Sequence, residues 1–261
     1  MRAYAVYETD AMLRALDVDG YALVANALTA DQCAAARDRI DALKPRHWDE
    51  ARGRGNAPDR RLDRYLNVFN RDPFWLAFLD RPGIVDLAEA ALGADCHVIG
   101  ETAWRSHPGY SGDPLHADFA PVPWPEGALP DAVRVPIFIL TAQYYLDDVT
   151  RELAPTRVVP GSHRAGRAPH AAETSWRGTA PQAVLAAAGD ALVFRSDLWH
   201  AGSDNTSAAG VRYLLQVHYG RREMAQHFSP YLDWRFDARV LEAATKRQRR
   251  LLGEHEPGPY D

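Results

Sequence analysis

A chain of 261 residues, 46% hydrophobic and 25% charged, has ordinary globular make-up and can bury roughly 70–75% of the surface it exposes when unfolded. Its net charge of −5 gives no electrostatic ground for a nucleic-acid or anionic-membrane partner. Two cysteines, Cys33 and Cys96, allow neither a disulfide framework nor a thiolate zinc cluster, and no apolar run approaches the ~20 residues that span a bilayer.

The opening "MRAYAVYETDAMLRALDVDGYALV" carries Glu8, Asp10, Asp17 and Asp19 where a signal peptide needs an uncharged apolar core, so a cytoplasmic protein is expected. "DGYALVANAL" reads as a short strand. In "TADQCAAARDRIDALKP", Thr29 is the N-cap of a helix that puts Cys33, Ala36, Ile40 and Leu43 at helical spacing, and Pro45 stops it. "WDEARGRGNAPDRRLDRYLN" shows no period and reads as a long loop or lid. "PGIVDLAEAALGAD" is a second helix, with Pro82 near its start and Gly93 at its C-cap.

From residue 96 short runs rich in Val, Ile, Tyr and Phe alternate with Pro/Gly turns: "CHVIGETAW", "VRVPIFILTAQYYL", "TRVVPGSH", "DALVFRS" and "RYLLQVHYG". Few strong helices separate them, which favours a β-sandwich or barrel over βαβ units. "DARVLEAATKRQRRLLGEHEP" returns to helix. The expectation is one domain over 1–261: a helical shell over about 1–95, a β core over about 96–222 and a helical segment over about 223–261.

"GDPLHADFAPVPWP" places His116 and Asp118 at spacing two, on one side of an extended segment. Such a pair is compatible with half a metal site or with a polar loop, and a metal site needs a further donor. "GDALVFRSDLWHAGSDNTS" offers His200. Two histidines and a carboxylate make the facial triad that holds non-haem Fe(II) with three positions open, whereas zinc hydrolysis needs one. Twelve residues on, Arg212 opens the core strand "VRYLLQV". A buried guanidinium is costly unless a carboxylate meets it, and none stands nearby in sequence, so a ligand carboxylate is indicated.

The order His-x-Asp, distant His, then Arg resembles the Fe(II)/2-oxoglutarate dioxygenases, and more narrowly the phytanoyl-CoA dioxygenase-like family. The likeness covers most of the chain: "DGYALVANALTADQCAAARDRIDAL" resembles the family's opening strand and helix, "LHAD" its first two ligands, "YYLDDVTRELAPTRVVPGSHR" its central strand pair and "GDALVF…WHAGSDNTS…R" its distal end. The resemblance implies a mainly β fold with flanking helices around a double-stranded β-helix, a cupin-like jelly-roll. It implies Fe(II) on His116, Asp118 and His200, with 2-oxoglutarate and O2 as co-substrates. Arg212 would grip the distal carboxylate of 2-oxoglutarate, with Ser203 and Gln143 assisting. The expected reaction is hydroxylation, or a related oxidation, of an unactivated C–H bond in a small molecule, as in secondary-metabolite tailoring, with release of succinate and CO2. Rival readings are a cupin-like metalloenzyme that does not use 2-oxoglutarate and a non-catalytic metal-binding or regulatory barrel.

Asp118 stands where related halogenases carry a small residue, which favours hydroxylation over halogenation. Leu153-Ala154 stands where the family often has Asn-Gly, so a reshaped turn is expected there. His163 in "PGSH" is expected to be structural, His107 and His218 to lie in the core or at the rim, and "KRQRR" to be a solvated helix face. Trp104, Phe119, Trp124 and Trp199 flank the ligands and are candidates to line the pocket.

Overall fold

Residues 1–46, 61–121, 124, 129–130, 132–228 and 234–257 are described in the computed structural model. Ten strands form two sheets among these residues. The larger contains β1 (Ala3–Tyr4), β2 (Tyr21–Val24), β3 (Leu62–Leu66), β4 (His97–Ser106), β5 (Ile139–Tyr145), β8 (Ala191–Arg195) and β10 (Arg212–Gly220), in the order β1-β2-β8-β5-β10-β4-β3. The smaller contains β6 (Thr156–Val158), β7 (Gln182–Ala183) and β9 (His200–Gly202), in the order β7-β6-β9. Pairing is antiparallel throughout except between β1 and β2. The class is the one expected, mainly β with flanking helices and a cupin-like core, although the larger sheet is open, with β1 and β3 at its edges.

Period-two alternation divides the large sheet into two chemistries. On β10, Arg212, Leu214, Gln216 and His218 face a cavity, while Leu215, Val217 and Tyr219 enter the hydrophobic core. On β5, Ile139 and Gln143 face the cavity and Leu140, Ala142 and Tyr144 the core. That core is closed by helices. Met12 and Leu16 of α1 (Thr9–Val18), Ile40 of α2 (Ala30–Ala42), Leu79 of α3 (Leu76–Leu79) and Leu87 of α4 (Ile84–Leu92) are all fully buried there. Each such side chain contributes about 1.5–3 kcal/mol by leaving water.

The expected ends of α2 and α4 are observed. Thr29 caps α2 in a capping box with Gln32, and Cys33, Ala36 and Ile40 form its buried face. Gly93 ends α4 at φ 116°, and Gly83 at φ 78° precedes it where a Cβ would lie 2.4 Å from the Val6 carbonyl oxygen. Both cysteines are buried and free. No helix among the described residues is long and apolar enough to cross a membrane.

Two expectations are corrected. The Arg/Asp-rich stretch expected to be loop ends in a strand, β3, at Leu62–Leu66, while the part before residue 61 lies outside the described residues. Its alternation is hidden in sequence because the central cavity-facing position is Arg64. The C-terminal segment is two short helices, α5 (Ala238–Ala243) and α6 (Lys246–Leu251), divided where Thr245 begins a new capping box. The "KRQRR" face is a clamp rather than a solvated surface. Arg247 and Arg250 pair with Glu89 of α4 at 2.6 and 2.5 Å, Arg250 also donates to the Cys96 carbonyl, and Gln248 is buried against Leu76 and Asp80.

Glu101 of β4 projects into the core, fully buried, with neither carboxyl oxygen in a well-formed hydrogen bond. Burial, only partly offset by the Phe69 backbone amide, pushes its pKa well above the ordinary carboxylate value, so the folded chain holds it protonated. Above pH ~4.3 the unfolded chain releases this proton and the folded chain keeps it, so stability declines with rising pH by about 1.4 kcal/mol per unit until the buried group ionises. Unfolding midpoints measured across that range are expected to fall in the wild type relative to Glu101→Gln; parallel curves would show that the buried carboxyl does not control this slope.

Candidate metal and co-substrate site

His116 and His200 exchange both backbone hydrogen bonds, His116 N–H to His200 O at 2.9 Å and His200 N–H to His116 O at 2.8 Å. This joins the His116 segment to β9 and sets the two imidazoles side by side, ring centroids 4.3 Å apart. The next anchor, Phe119 N–H to Ser196 O at 3.0 Å, turns Asp118 towards them. Asp118 Oδ1 lies 3.7 Å from His116 Nε2 and Oδ2 lies 3.6 Å from His200 Nε2. Donor atoms of all three residues fall within 4.8 Å of one another.

The hydrogen bonds also determine which ring nitrogen can bind a metal. His116 Nδ1 lies 2.8 Å from Pro114 O and His200 Nδ1 lies 2.9 Å from Leu198 O. A carbonyl only accepts, so each Nδ1 carries the proton and each Nε2 presents its lone pair to the centre. Burial holds His200 below the ordinary imidazole pKa even with Asp118 beside it. Burial opposes ionisation of Asp118, but His200 and His116 more than offset it, and its pKa lies below the usual carboxylate value. Metal binding requires a neutral imidazole and an ionised carboxylate, the directions in which His200 and Asp118 are shifted.

The triad opens into a cavity of about 690 Å³ that also contains Arg212 and Gln143, a size that suits small-molecule ligands. Arg212 is 5% exposed. It donates to Ala154 O and, at 3.2 Å, to Ser106 Oγ, while its Nε–H has no partner. Among the described residues no carboxylate forms an ion pair with it. Burial lowers its pKa, opposed by Tyr145, Tyr110, Asp113 and Asp147. The wholly buried Tyr145 hydroxyl, near Thr156, Gln143 and Arg212, also completes no hydrogen bond, and burial pushes it up to about 12. Tyr145 lies behind the cavity lining, whereas Arg212 is on it, and a stranded cationic donor there fits an anionic ligand better than an empty wall.

Gln143 reaches the cavity from β5, donating to Thr156 Oγ1 at 2.7 Å and accepting from Gln216 at 2.9 Å. Ser203 is partly buried, its N–H donating to Pro155 O at 3.0 Å, and the cavity wall at that point is the preceding Gly202. Trp104 and Phe119 line the cavity as expected. Trp199 does not: one residue before His200, it alternates to the opposite face and packs on Trp176, ring centroids 5.4 Å apart. Trp124 is 37% exposed and lies outside the lining.

His163 is structural, buried with Nε2 3.1 Å from Asp17 O, and its turn supports β9 through Ser162 Oγ, which accepts from Trp199 N–H. His107 pairs with Asp63 away from the cavity. His218, expected in the core or at the rim, instead lines the cavity, as counting in twos from Arg212 along β10 would have shown. Arg64, Asn67 and His227 also line it, and no reading of the sequence singled them out. They arrive from β3, the turn after it and the segment beyond β10, brought together only by folding.

An antiparallel two-sheet fold with two histidines and one carboxylate at a cavity defines a class of non-haem metal proteins. The phytanoyl-CoA dioxygenase (PhyH) family profile matches residues 16–213, and the chain belongs to that family. An uncharacterized protein of Mycobacterium tuberculosis is 30% identical over 251 residues, covering 94% of this chain and 86% of that one. The L-proline trans-4-hydroxylase of Streptomyces griseoviridis is 32% identical over 170 residues, 54% of this chain and 60% of that one. In structure the chain is similar to HygX from Streptomyces hygroscopicus, solved with nickel, 2-oxoglutarate and hygromycin B. The TM-score is 0.66 at 15% identity, with 83% of this chain and 88% of that one covered.

In the turn that holds Arg212, Ala154 takes the left-handed conformation, at φ 46°, the region glycine enters freely and other residues at a cost of roughly 1–2 kcal/mol. Ala154→Gly removes that strain and a buried methyl worth about 0.8 kcal/mol. It is therefore expected to be neutral or stabilising by up to about 1 kcal/mol, against the usual loss for glycine. Ala154→Val should cost about 2 kcal/mol or more. Chemical denaturation of both variants checks the pair.

Proposed function

We propose that this protein is an Fe(II)- and 2-oxoglutarate-dependent oxygenase that hydroxylates an unactivated C–H bond of a small molecule. The observation that carries the reading is the pairing of a metal-ready triad with a stranded cationic donor in one cavity. His116, Asp118 and His200 would hold the metal, the tautomers of the two imidazoles already suited to it. Three protein ligands leave the open positions that oxygen chemistry needs, which favours iron over zinc. Bound there with 2-oxoglutarate and O2, Fe(II) supplies the oxidising power for C–H attack, with succinate and CO2 released.

Arg212 would form a charge-assisted pair with the distal carboxylate of 2-oxoglutarate through its unused Nε–H, while the Ala154 carbonyl and Ser106 keep the guanidinium in place. The Tyr145 hydroxyl, beside Arg212 and without a hydrogen-bond partner, would be a second donor for that carboxylate. Gln143, oriented by Thr156 and Gln216, would hydrogen-bond the same co-substrate, and Ser203 would assist from beside Gly202. Trp104 and Phe119 would limit water at the reacting centre. HygX holds metal and 2-oxoglutarate on a similar fold and the related Streptomyces enzyme hydroxylates L-proline; both support a tailoring hydroxylase acting on a small substrate.

Anaerobic addition of Fe(II) and 2-oxoglutarate is expected to produce a visible metal-to-ligand charge-transfer band, and a spectrum without one would remove the cofactor assignment. His116→Ala or Asp118→Ala should abolish that band and all succinate formation. Arg212→Ala should raise the 2-oxoglutarate requirement by 100-fold or more, the worth of a buried charge-assisted pair of about 3 kcal/mol. Tyr145→Phe should raise it about tenfold, one hydrogen bond of about 1.4 kcal/mol. Unchanged affinity in either variant takes that residue out of the role.

A further inference from the structure

The cavity continues past the triad along β10, whose inward-facing residues after Arg212 are Leu214, Gln216 and His218. Six steps along the chain separate Arg212 from His218, about 20 Å of extended strand. A co-substrate held between Arg212 and the metal therefore leaves the His218 end to the substrate. Asp118 and His200 both act on the His218 charge, so this end still adjoins the reacting centre. Arg64, also on the cavity wall, is engaged within the fold, its guanidinium carbon 4.4 Å from the Trp104 ring centroid.

The hydrogen bond at His218 defines what the ring offers. Its Nδ1 lies 2.9 Å from Oγ1 of Thr141, its register partner on β5. Thr141 is fully buried, and among the described residues its hydroxyl has no other partner. If Nδ1 carried the proton, the hydroxyl hydrogen would be stranded in a dry interior; if Thr141 donates, both groups are satisfied. The ring is neutral, burial and then His227 pushing it down to about 3, so its one proton sits on Nε2. That Nε2–H makes no hydrogen bond among the described residues and is presented to the cavity.

Two residues earlier on the same face, Gln216 offers the opposite polarity. Gln143 donates its Nε2–H to Thr156 and accepts the Gln216 Nε2–H on its Oε1. Gln216 Oε1 is left as an acceptor with no donor on it among the described residues. A neutral donor and a neutral acceptor therefore stand side by side on one strand. Gln216 Oε1 would repel a carboxylate and the His218 N–H an ammonium, whereas an amide carries both complements without charge. A hydroxyl has a single oxygen for the two, and side chains two residues apart on a strand are rooted roughly 6–7 Å apart.

We propose that His218 and Gln216 bind an amide group of the substrate, its carbonyl accepting from His218 Nε2–H and its N–H donating to Gln216 Oε1, so that the enzyme acts on small amides such as lactams or cyclic dipeptides. This inference rests on the oxygenase reading above and names the substrate class of that same cavity.

The test uses protein loaded with Zn(II) and saturating 2-oxoglutarate, a diamagnetic stand-in for the iron complex. Long-range proton–nitrogen NMR spectra of histidine-labelled protein, assigned with His218→Phe, are expected to show His218 protonated at Nε2 and bare at Nδ1; the opposite tautomer overturns the proposal. Probes are δ-valerolactam and cyclic dipeptides, each matched with the ester that replaces its N–H and the thioamide that weakens its acceptor. At least one amide is expected to bind about tenfold or more tightly than either counterpart by calorimetry, one hydrogen bond being lost in each. His218→Phe should make amide and thioamide equal, and His218→Gln, which keeps an N–H donor, should restore part of the difference. Gln216→Leu should bring amide and ester together, circular dichroism confirming the fold of each variant. Amides that bind no better than their counterparts, no amide binding at all, or a preference over the thioamide that survives His218→Phe would each overturn the proposal. The 2-oxoglutarate titration is read separately. If the wild type takes up none, the oxygenase reading fails on its own, and the same probes are then compared on protein holding Zn(II) alone, where the preference and its loss in His218→Phe still decide the amide site.

Discussion

The backbone hydrogen bonds exchanged by His116 and His200 join the segment after β4 to the small sheet, and the metal site depends on them. Without that reciprocal pair the two imidazoles belong to parts of the chain more than eighty residues apart. With it their positions follow from strand geometry. Each ring is then held by its Nδ1 proton on a carbonyl two residues earlier, Pro114 or Leu198. Asp118, the next same-side residue on the extended segment, completes the set, held by the Phe119–Ser196 bond on its far side. The turn at Gly161 and Ser162 supports the arrangement from below by accepting the amide of Trp199.

The large sheet contributes a second constraint. Alternate residues of β4, β5 and β10 enter either a hydrocarbon core closed by helices or a cavity lined with polar groups. Polar groups are hard to satisfy on either side, and the two faces resolve that differently. Glu101, on the core face, is held neutral by burial. Arg212, on the cavity face, keeps its charge, meets only a carbonyl and a hydroxyl, and leaves a donor pointing to no protein acceptor. A buried carboxyl can shed its charge by binding a proton, whereas a guanidinium does not readily lose one. The residue type at each position therefore distinguishes a stability cost from a ligand site. Ala154 belongs to the same economy, since a residue with an unfavourable backbone angle supplies the carbonyl that orients Arg212.

Much of the site was legible in sequence. His116 and Asp118 were readable because a spacing of two in an extended segment puts both on one side, and Arg212 because a cation at the start of an apolar strand lacks a partner. The bounds of α2 followed from Thr29 and the apolar spacing within it. His218 was recoverable from the same alternation as Arg212, but a lone histidine in a strand gives no sign of which face is polar. Trp199 misled because nearness to a ligand in sequence means the opposite face in a strand. β3 was missed because its cavity-facing centre is Arg64, so the alternation that marks a half-buried strand was absent.

By itself the sequence determined most of the elements, the alternation within the apolar strands and the inventory of donors, since these depend on neighbours a few residues apart. Tertiary structure alone decided which strands share a cavity, which imidazole nitrogen carries the proton and which donor of Arg212 is left without a protein acceptor. It also turned the basic C-terminal run into a clamp on α4 and brought Arg64 onto Trp104. The reason is physical: period and capping are local energies, whereas charge pairing and tautomer choice depend on groups that meet only when distant segments pack together.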